Sequence, residues 1–186
     1  MKILIIRLLA ASTLFCTLSI ASLAQPTQSA FPGITPNGTV EGEFDRFENR
    51  TKIHLKNMLV AKKPGQELVL GVFGSYTGSP SPPSSVVLTL TSFAVGGFQY
   101  RPNQACTLNV IADGERLKYE LVNKLQDIYL NTIYLDGAAA AIPYAELRRI
   151  ARAKSLEMRF EGTEFTLTSE QQQTFHEFLK RFWDDK

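Results

Sequence analysis

The sequence predicts an α+β fold, an antiparallel β-meander of about six to eight strands with two C-terminal helices packed on the sheet. Three observations carry this. From residue 51 to about residue 135, apolar residues alternate with polar ones at the period of half-buried strands. Asp113-Gly114 stands between two such runs, the strongest short-range hairpin signal a sequence offers. After Pro143 the apolar period becomes helical, returns to alternation, and turns helical again near the C-terminus. Strands, then helix, hairpin and helix, is the order of an α+β domain.

Residues 1–24 read as a secretory signal peptide. Lys2 and Arg7 give a short basic start, the apolar run continues through Leu18 and Ile20, and Ser22-Leu23-Ala24 presents small residues for cleavage between Ala24 and Gln25. Ser12, Thr13, Thr17 and Ser19 dilute the run below what a membrane anchor needs. Cys16 follows Phe15 and sits too early to be a lipidation site. Without Lys2 and Arg7, the 20 basic residues fall to the number of acidic ones, 18, and the net charge is about zero. That balance gives no support to nucleic acid or anionic lipid as a partner. Cys106 is then the sole cysteine, so no internal disulfide forms and the domain relies on its core.

Residues 25–42, with Pro26, Pro32, Gly33, Pro36 and Gly38, read as a flexible leader, and 43–186 as one α+β domain. Strands follow at Ile53-Leu55, Leu68 to Val72 and Val86 to Leu90. Pro80, Pro82 and Pro83 mark a surface loop before the last of these. Leu108 to Ala112 and Leu117 to Leu121 flank the Asp-Gly turn, and Ile128 to Leu135 is a further strand ending at Asp136-Gly137. Pro143 suits the first turn of a helix carrying Tyr144, Leu147, Ile150 and Ala151 on one face. Ser155 to Phe160 and Phe165-Leu167 form a hairpin around Glu161-Gly162. Thr168 with Gln171 matches a capping box. Phe175, Phe178, Leu179 and Phe182 then fall at the spacing of a buried stripe, at ~1.5–3 kcal/mol for each side chain fully buried.

No catalytic, cofactor or metal signature accompanies this pattern. There is no G-x-S-x-G elbow, H-E-x-x-H, C-x-x-C or D-x-D-x-D-G loop, and Gly71 to Gly74 lacks the lysine of a phosphate loop. His54 and His176 are more than a hundred residues apart, and Cys106 reads as a small buried hydrophobe. Asn37-Gly38-Thr39 and Asn49-Arg50-Thr51 match the glycosylation pattern. A carboxylate pair has no spacing rule, so Asp45, Glu48, Asp136 and Glu146, all near element ends, are the acids from which a small envelope hydrolase would draw. The clearest surface feature is the basic group Arg148, Arg149, Arg152 and Lys154, a candidate partner-binding surface that also complements the dipole at a helix C-terminus.

The passages Ile142-Pro143-Tyr144, Ala153-Lys154-Ser155-Leu156-Glu157-Met158-Arg159 and Glu164-Phe165-Thr166-Leu167 resemble the tail of exported, β-rich bacterial proteins of unknown function. Phe47-Glu48-Asn49-Arg50-Thr51 before an alternating strand is similar too. The resemblance covers about a third of the chain and implies a small envelope or secreted domain. It carries over no activity and no site residue. The expectation is an exported, non-enzymatic domain that binds a protein or envelope component in the periplasm or outside the cell, with no cofactor.

Overall fold

The computed structural model describes residues 28–95, 106–130 and 133–182, with 123–134 as backbone only where present. The signal segment, its Ala24-Gln25 site and Cys16 lie outside these residues. Among the described residues, nine strands form one antiparallel sheet, with two helices in the last third of the chain. The strands are β1 (Thr39–Asp45), β2 (Arg50–Lys63), β3 (Gln66–Thr77), β4 (Ser85–Val95), β5 (Cys106–Ala112), β6 (Glu115–Leu130), β7 (Ile133–Pro143), β8 (Leu156–Phe160) and β9 (Thr163–Phe165). The helices are α1 (Tyr144–Arg152), which precedes β8, and α2 (Ser169–Lys180), which follows β9.

The predicted α+β class holds, but the order across the sheet is β1-β2-β3-β4-β7-β6-β5-β8-β9 rather than a plain meander. β4 pairs with β7, so β5 lies three strands from β4. β6 is the joint. Its first half, Glu115 to Leu121, pairs with β5, and from Val122 onward it pairs with β7. The sheet curls about this strand until the β8–β9 hairpin meets the end of β2, where Lys63 Nζ donates to Thr163 Oγ1 at 3.1 Å.

The inside of the curl is the core. Leu70, Leu88, Leu90, Leu108, Ile142 and Leu147 are buried there with the predicted stripe of α2. Phe175, Phe178 and Phe182 are fully buried, and Leu179 nearly so. Phe182 lies edge-on to Tyr144, Tyr76 and Phe178, with centroids 5.3–6.0 Å apart. Its ring rests on Gly74, where an added Cβ would come within 2.6 Å of Cζ.

Three expectations are corrected. Ile128 to Leu135 is not one strand. Ile128 to Leu130 closes β6, and β7 begins at Ile133 and runs through Asp136-Gly137 to Pro143. The run Ala138 to Ala141 carries no polar contrast, so the period-two test is blind to it. Its small side chains leave room for Leu88 and Leu90, opposite Ala140 and Ala138. Pro143 ends β7 and caps α1 from outside instead of entering its first turn.

The third correction concerns the leader. Residues 28–36 are packed on the outer face of the sheet as a strap, and β1 occupies Thr39–Asp45. Phe31 and Ile34, two large apolar residues three apart, cover Leu59, Val69 and Phe93 in a second cluster outside the main core. The strap enters at an irregularity in β2. Asn57 has φ +59°, and pairing with β3 slips between Leu55 and Met58. Thr35 takes up the backbone groups this leaves, donating to Asn57 O and accepting from the Leu59 amide, both at 3.0 Å. Gly38, at φ +71°, allows this approach, since a Cβ there would lie 2.9 Å from that of Met58.

Two buried polar side chains hold the strap. Glu67, 2% exposed, accepts from the Ser29 hydroxyl, from the Ala30 amide at 2.8 Å, and from Lys62 at 3.1 Å. Burial pushes its carboxyl up, but these donors together outweigh burial and hold it below the ordinary 4.5. Gln171, 3% exposed, completes the predicted capping box with Thr168 and turns both amide hydrogens outward from the helix. They reach Pro36 O at 2.7 Å and Leu59 O at 2.8 Å.

Replacing Gln171 with Ala strands two carbonyls and opens the cap. Urea unfolding of that variant is expected to show a loss of about 2–4 kcal/mol with an unchanged m-value. Because the folded carboxyl of Glu67 titrates below its unfolded value, its contribution is complete above pH 4.5 and fades as pH falls beneath it. Protection of the amides at 29–36, corrected for intrinsic exchange, is therefore expected to fall below pH 4.5 before the core opens, and Glu67→Gln to remove that step.

Candidate functional site

The basic group of α1 sits at the end of the β5–β6 hairpin. Asp113 and Gly114 both have positive φ, +49° and +84°, as a two-residue type I′ turn requires. Asp113 Oδ1 accepts from the amides of Lys154 and Ser155, each at 2.9 Å, and fastens the turn to the C-terminus of α1. Arg149 reaches Glu115 at 2.8 Å, with both side chains about half exposed. Arg152 and Lys154 are exposed, whereas Arg148 is half-buried. The four cations thus do not form one open patch. Arg149 is engaged with an acid, and the backbone of Lys154 is part of a turn anchor.

The four acids fall at three separate places. Asp45 and Glu48 share the β1–β2 turn, with Lys52 2.8 Å from one and 3.5 Å from the other. The hydrogen bond from Lys52, with those from the amides of Glu48 and Phe47, lowers the pKa of Asp45. A general acid needs the opposite shift. Glu146, on α1, accepts the Tyr119 hydroxyl at 2.6 Å. Burial and this hydrogen bond raise the Tyr119 phenol far above its ordinary value. Asp136 lines a cavity of about 40 Å³ facing the β8–β9 turn, with room for one or two waters.

Cys106 and His54 lie on opposite faces of the sheet. Cys106 is 1% exposed inside the curl. His54 lies on the outer face, half-buried against Phe73 with centroids 4.8 Å apart, and burial, then Lys56, lowers its pKa. Among the described residues no three His, Cys, Asp or Glu side chains are grouped to hold a metal ion.

A concavity of about 740 Å³ lies over the outer face of β5, β6, β8 and β9. β5 alternates strictly. Leu108, Val110 and Ala112 enter the core, so Asn109 and Ile111 form the floor of the groove, both half-buried. Register places Lys118 opposite Asn109 on β6 and Arg159 opposite it on β8. The next row is Arg116, Ile111 and Glu157. Arg159 has Glu164 at 3.9 Å, with both side chains more than half exposed. Arg116 and Lys118 have no ion-pair partner among the described residues.

Reading the residues singly missed this row. The Asp-Gly turn carried a signal for half of it, because counting back from a two-residue hairpin pairs Asn109 with Lys118. Arg159 comes from a strand more than 40 residues later in the chain, and nothing local announces that β8 docks on β5.

No protein-family model, curated protein or solved structure matches this chain. Among the described residues no helix is long and apolar enough to cross a membrane.

Exposed ion pairs such as Arg149–Glu115 contribute little to stability. The double variant Arg149→Ala, Arg152→Ala is expected to unfold within about 0.5–1 kcal/mol of the parent in urea. This variant separates any binding role of the helix from its folding role.

Proposed function

We propose that this chain is an exported, non-enzymatic binding domain of the periplasm or cell envelope, of the kind its tail resembles. The observation that carries the binding half is the groove over β5, β6, β8 and β9. It is a wide concavity lined by apolar and charged side chains on a sheet whose other face is core, and two of its three cations, Arg116 and Lys118, have no ion-pair partner among the described residues. A sheet that supports a groove holds side chains in fixed positions at two-residue spacing, which suits recognition. Of the acids weighed for hydrolysis, Asp136 and Glu146 each lie apart from the other acids, and Asp45 and Glu48 share a turn with Lys52, which shifts Asp45 away from the range of a general acid. The export half rests on residues 1–24, with their basic start, apolar run and small residues before Gln25.

Two measurements test the reading. Expressed with its own N-terminus in a bacterial host, the chain is expected in the periplasmic or secreted fraction. N-terminal sequencing is expected to begin at Gln25. Retention in the cytoplasm at full length would sink the export half. The purified domain is expected to sediment with isolated cell envelopes and to be released as salt rises, since solvent-exposed charge pairs are screened. Absence of sedimentation at low salt would remove the binding half.

A further inference from the structure

We infer that the groove is a site for an extended peptide, with an acidic side chain seated on the row Lys118, Asn109 and Arg159 and an apolar side chain two residues away seated on Ile111. The inference rests on the binding reading above and gives that site a ligand class.

Lys118 and Asn109 supply donors, and Arg159 supplies a guanidinium whose acid, Glu164, stands at 3.9 Å on its far side with both side chains more than half exposed. A lysine ammonium and an arginine guanidinium stand on the two strands flanking Asn109. Neighbouring strands are ~4.8 Å apart, so the two cations arise roughly 10 Å from each other with a carboxamide between them. A carboxylate has two oxygens and about four acceptor positions, enough for a forked guanidinium, an ammonium hydrogen and the amide NH₂ together. The carboxamide of Asn109 is half-buried and makes no hydrogen bond among the described residues, so it is available to a ligand.

The surrounding charge selects against a dense polyanion. Glu157 lies beside Ile111, and Glu164 lies on the far strand beyond Arg159. A phosphate chain would carry charge past both acids, whereas a single carboxylate seated between Lys118 and Arg159 competes only with the exposed Glu164 contact. The floor sets the second requirement. Asn109 and Ile111 are two residues apart on one strand, about 6.6 Å, the interval at which an extended peptide presents side chains on one face. A peptide lying along β5 meets a polar seat and an apolar seat two residues apart, in an order set by its direction. Alternate carboxylate and aliphatic side chains fit both.

The test uses the full domain, ¹⁵N-labelled, titrated with the acetylated and amidated pentapeptide Ser-Glu-Ser-Val-Ser. Amide shifts are expected on β5, β6 and β8. The same peptide with glutamine in place of glutamate is expected to bind roughly tenfold more weakly, the loss of a charge-assisted hydrogen bond. Lys118→Ala and Arg159→Ala, both on exposed positions, are expected to weaken the glutamate peptide similarly and leave the glutamine peptide unchanged. Arg152→Ala is expected to change neither. Equal affinity for the two peptides, no binding, or shifts centred on α1 would overturn the site. Envelope sedimentation is run in parallel with the Lys118→Ala, Arg159→Ala double variant. Undiminished sedimentation would overturn the groove as the site while leaving envelope binding intact. If the parent itself does not sediment, the wider reading fails, and the peptide titration alone decides the groove.

Discussion

The fold depends on how one irregularity in β2 is satisfied. The slip at Asn57 breaks the ladder between β2 and β3 and exposes backbone groups in a region otherwise closed to water. Thr35 accepts and donates on one side, and the amide of Gln171 reaches Leu59 O and Pro36 O from the other. A buried peptide group without a partner costs free energy comparable to a lost hydrogen bond, so these contacts are conditions of the bulge and not additions to it. Through them the strap, the β2–β3 hairpin and the terminal helix become one unit. Gln171 serves it twice, once as the N3 residue of the capping box and once as the donor that joins helix to sheet.

From that joint the rest of the architecture follows. With α2 fixed at its start, Phe175, Phe178 and Phe182 lie inside the curl, and Gly74 gives way to the last ring. The curl needs a strand that belongs to both of its halves, and the sixteen residues of β6 provide it. Filling the inner face with the helices leaves the outer face of β5 and its neighbours open. The groove is therefore a by-product of where the core was built, and its floor residues are those the core did not use.

Much of this was legible where a local rule applies. The Asp113-Gly114 turn, the capping box at Thr168 and the aromatic stripe of α2 each depend on residues a few positions apart, and the structure places all three as read. The strap was hidden because proline, glycine and small polar residues read as unstructured. Phe31 and Ile34 find their cover only on a sheet that forms elsewhere. The alanine run of β7 was hidden because alanine suits either face. Glu67 escaped notice for a different reason. A carboxylate on a strand reads as solvated, and only the return of Ser29 and Ala30 across the sheet explains why it is buried. The basic residues of α1 were the visible cluster, yet Arg149 is engaged with Glu115, and the less conspicuous Lys118 and Arg159 stand beside an unpartnered amide.

The packing of β2 and β3 against the C-terminal helix segment has a consequence for the order of events. The bulge in β2 is made early in the chain, but the side chain that satisfies it belongs to residue 171, and the ring that fills the space at Gly74 belongs to residue 182. Loop closure over such separations is slow relative to local pairing. A growing chain can form individual hairpins as it emerges, but it cannot seal its core until its final helix is free to dock. Closure of the core is thus deferred until residues 169–182 have emerged.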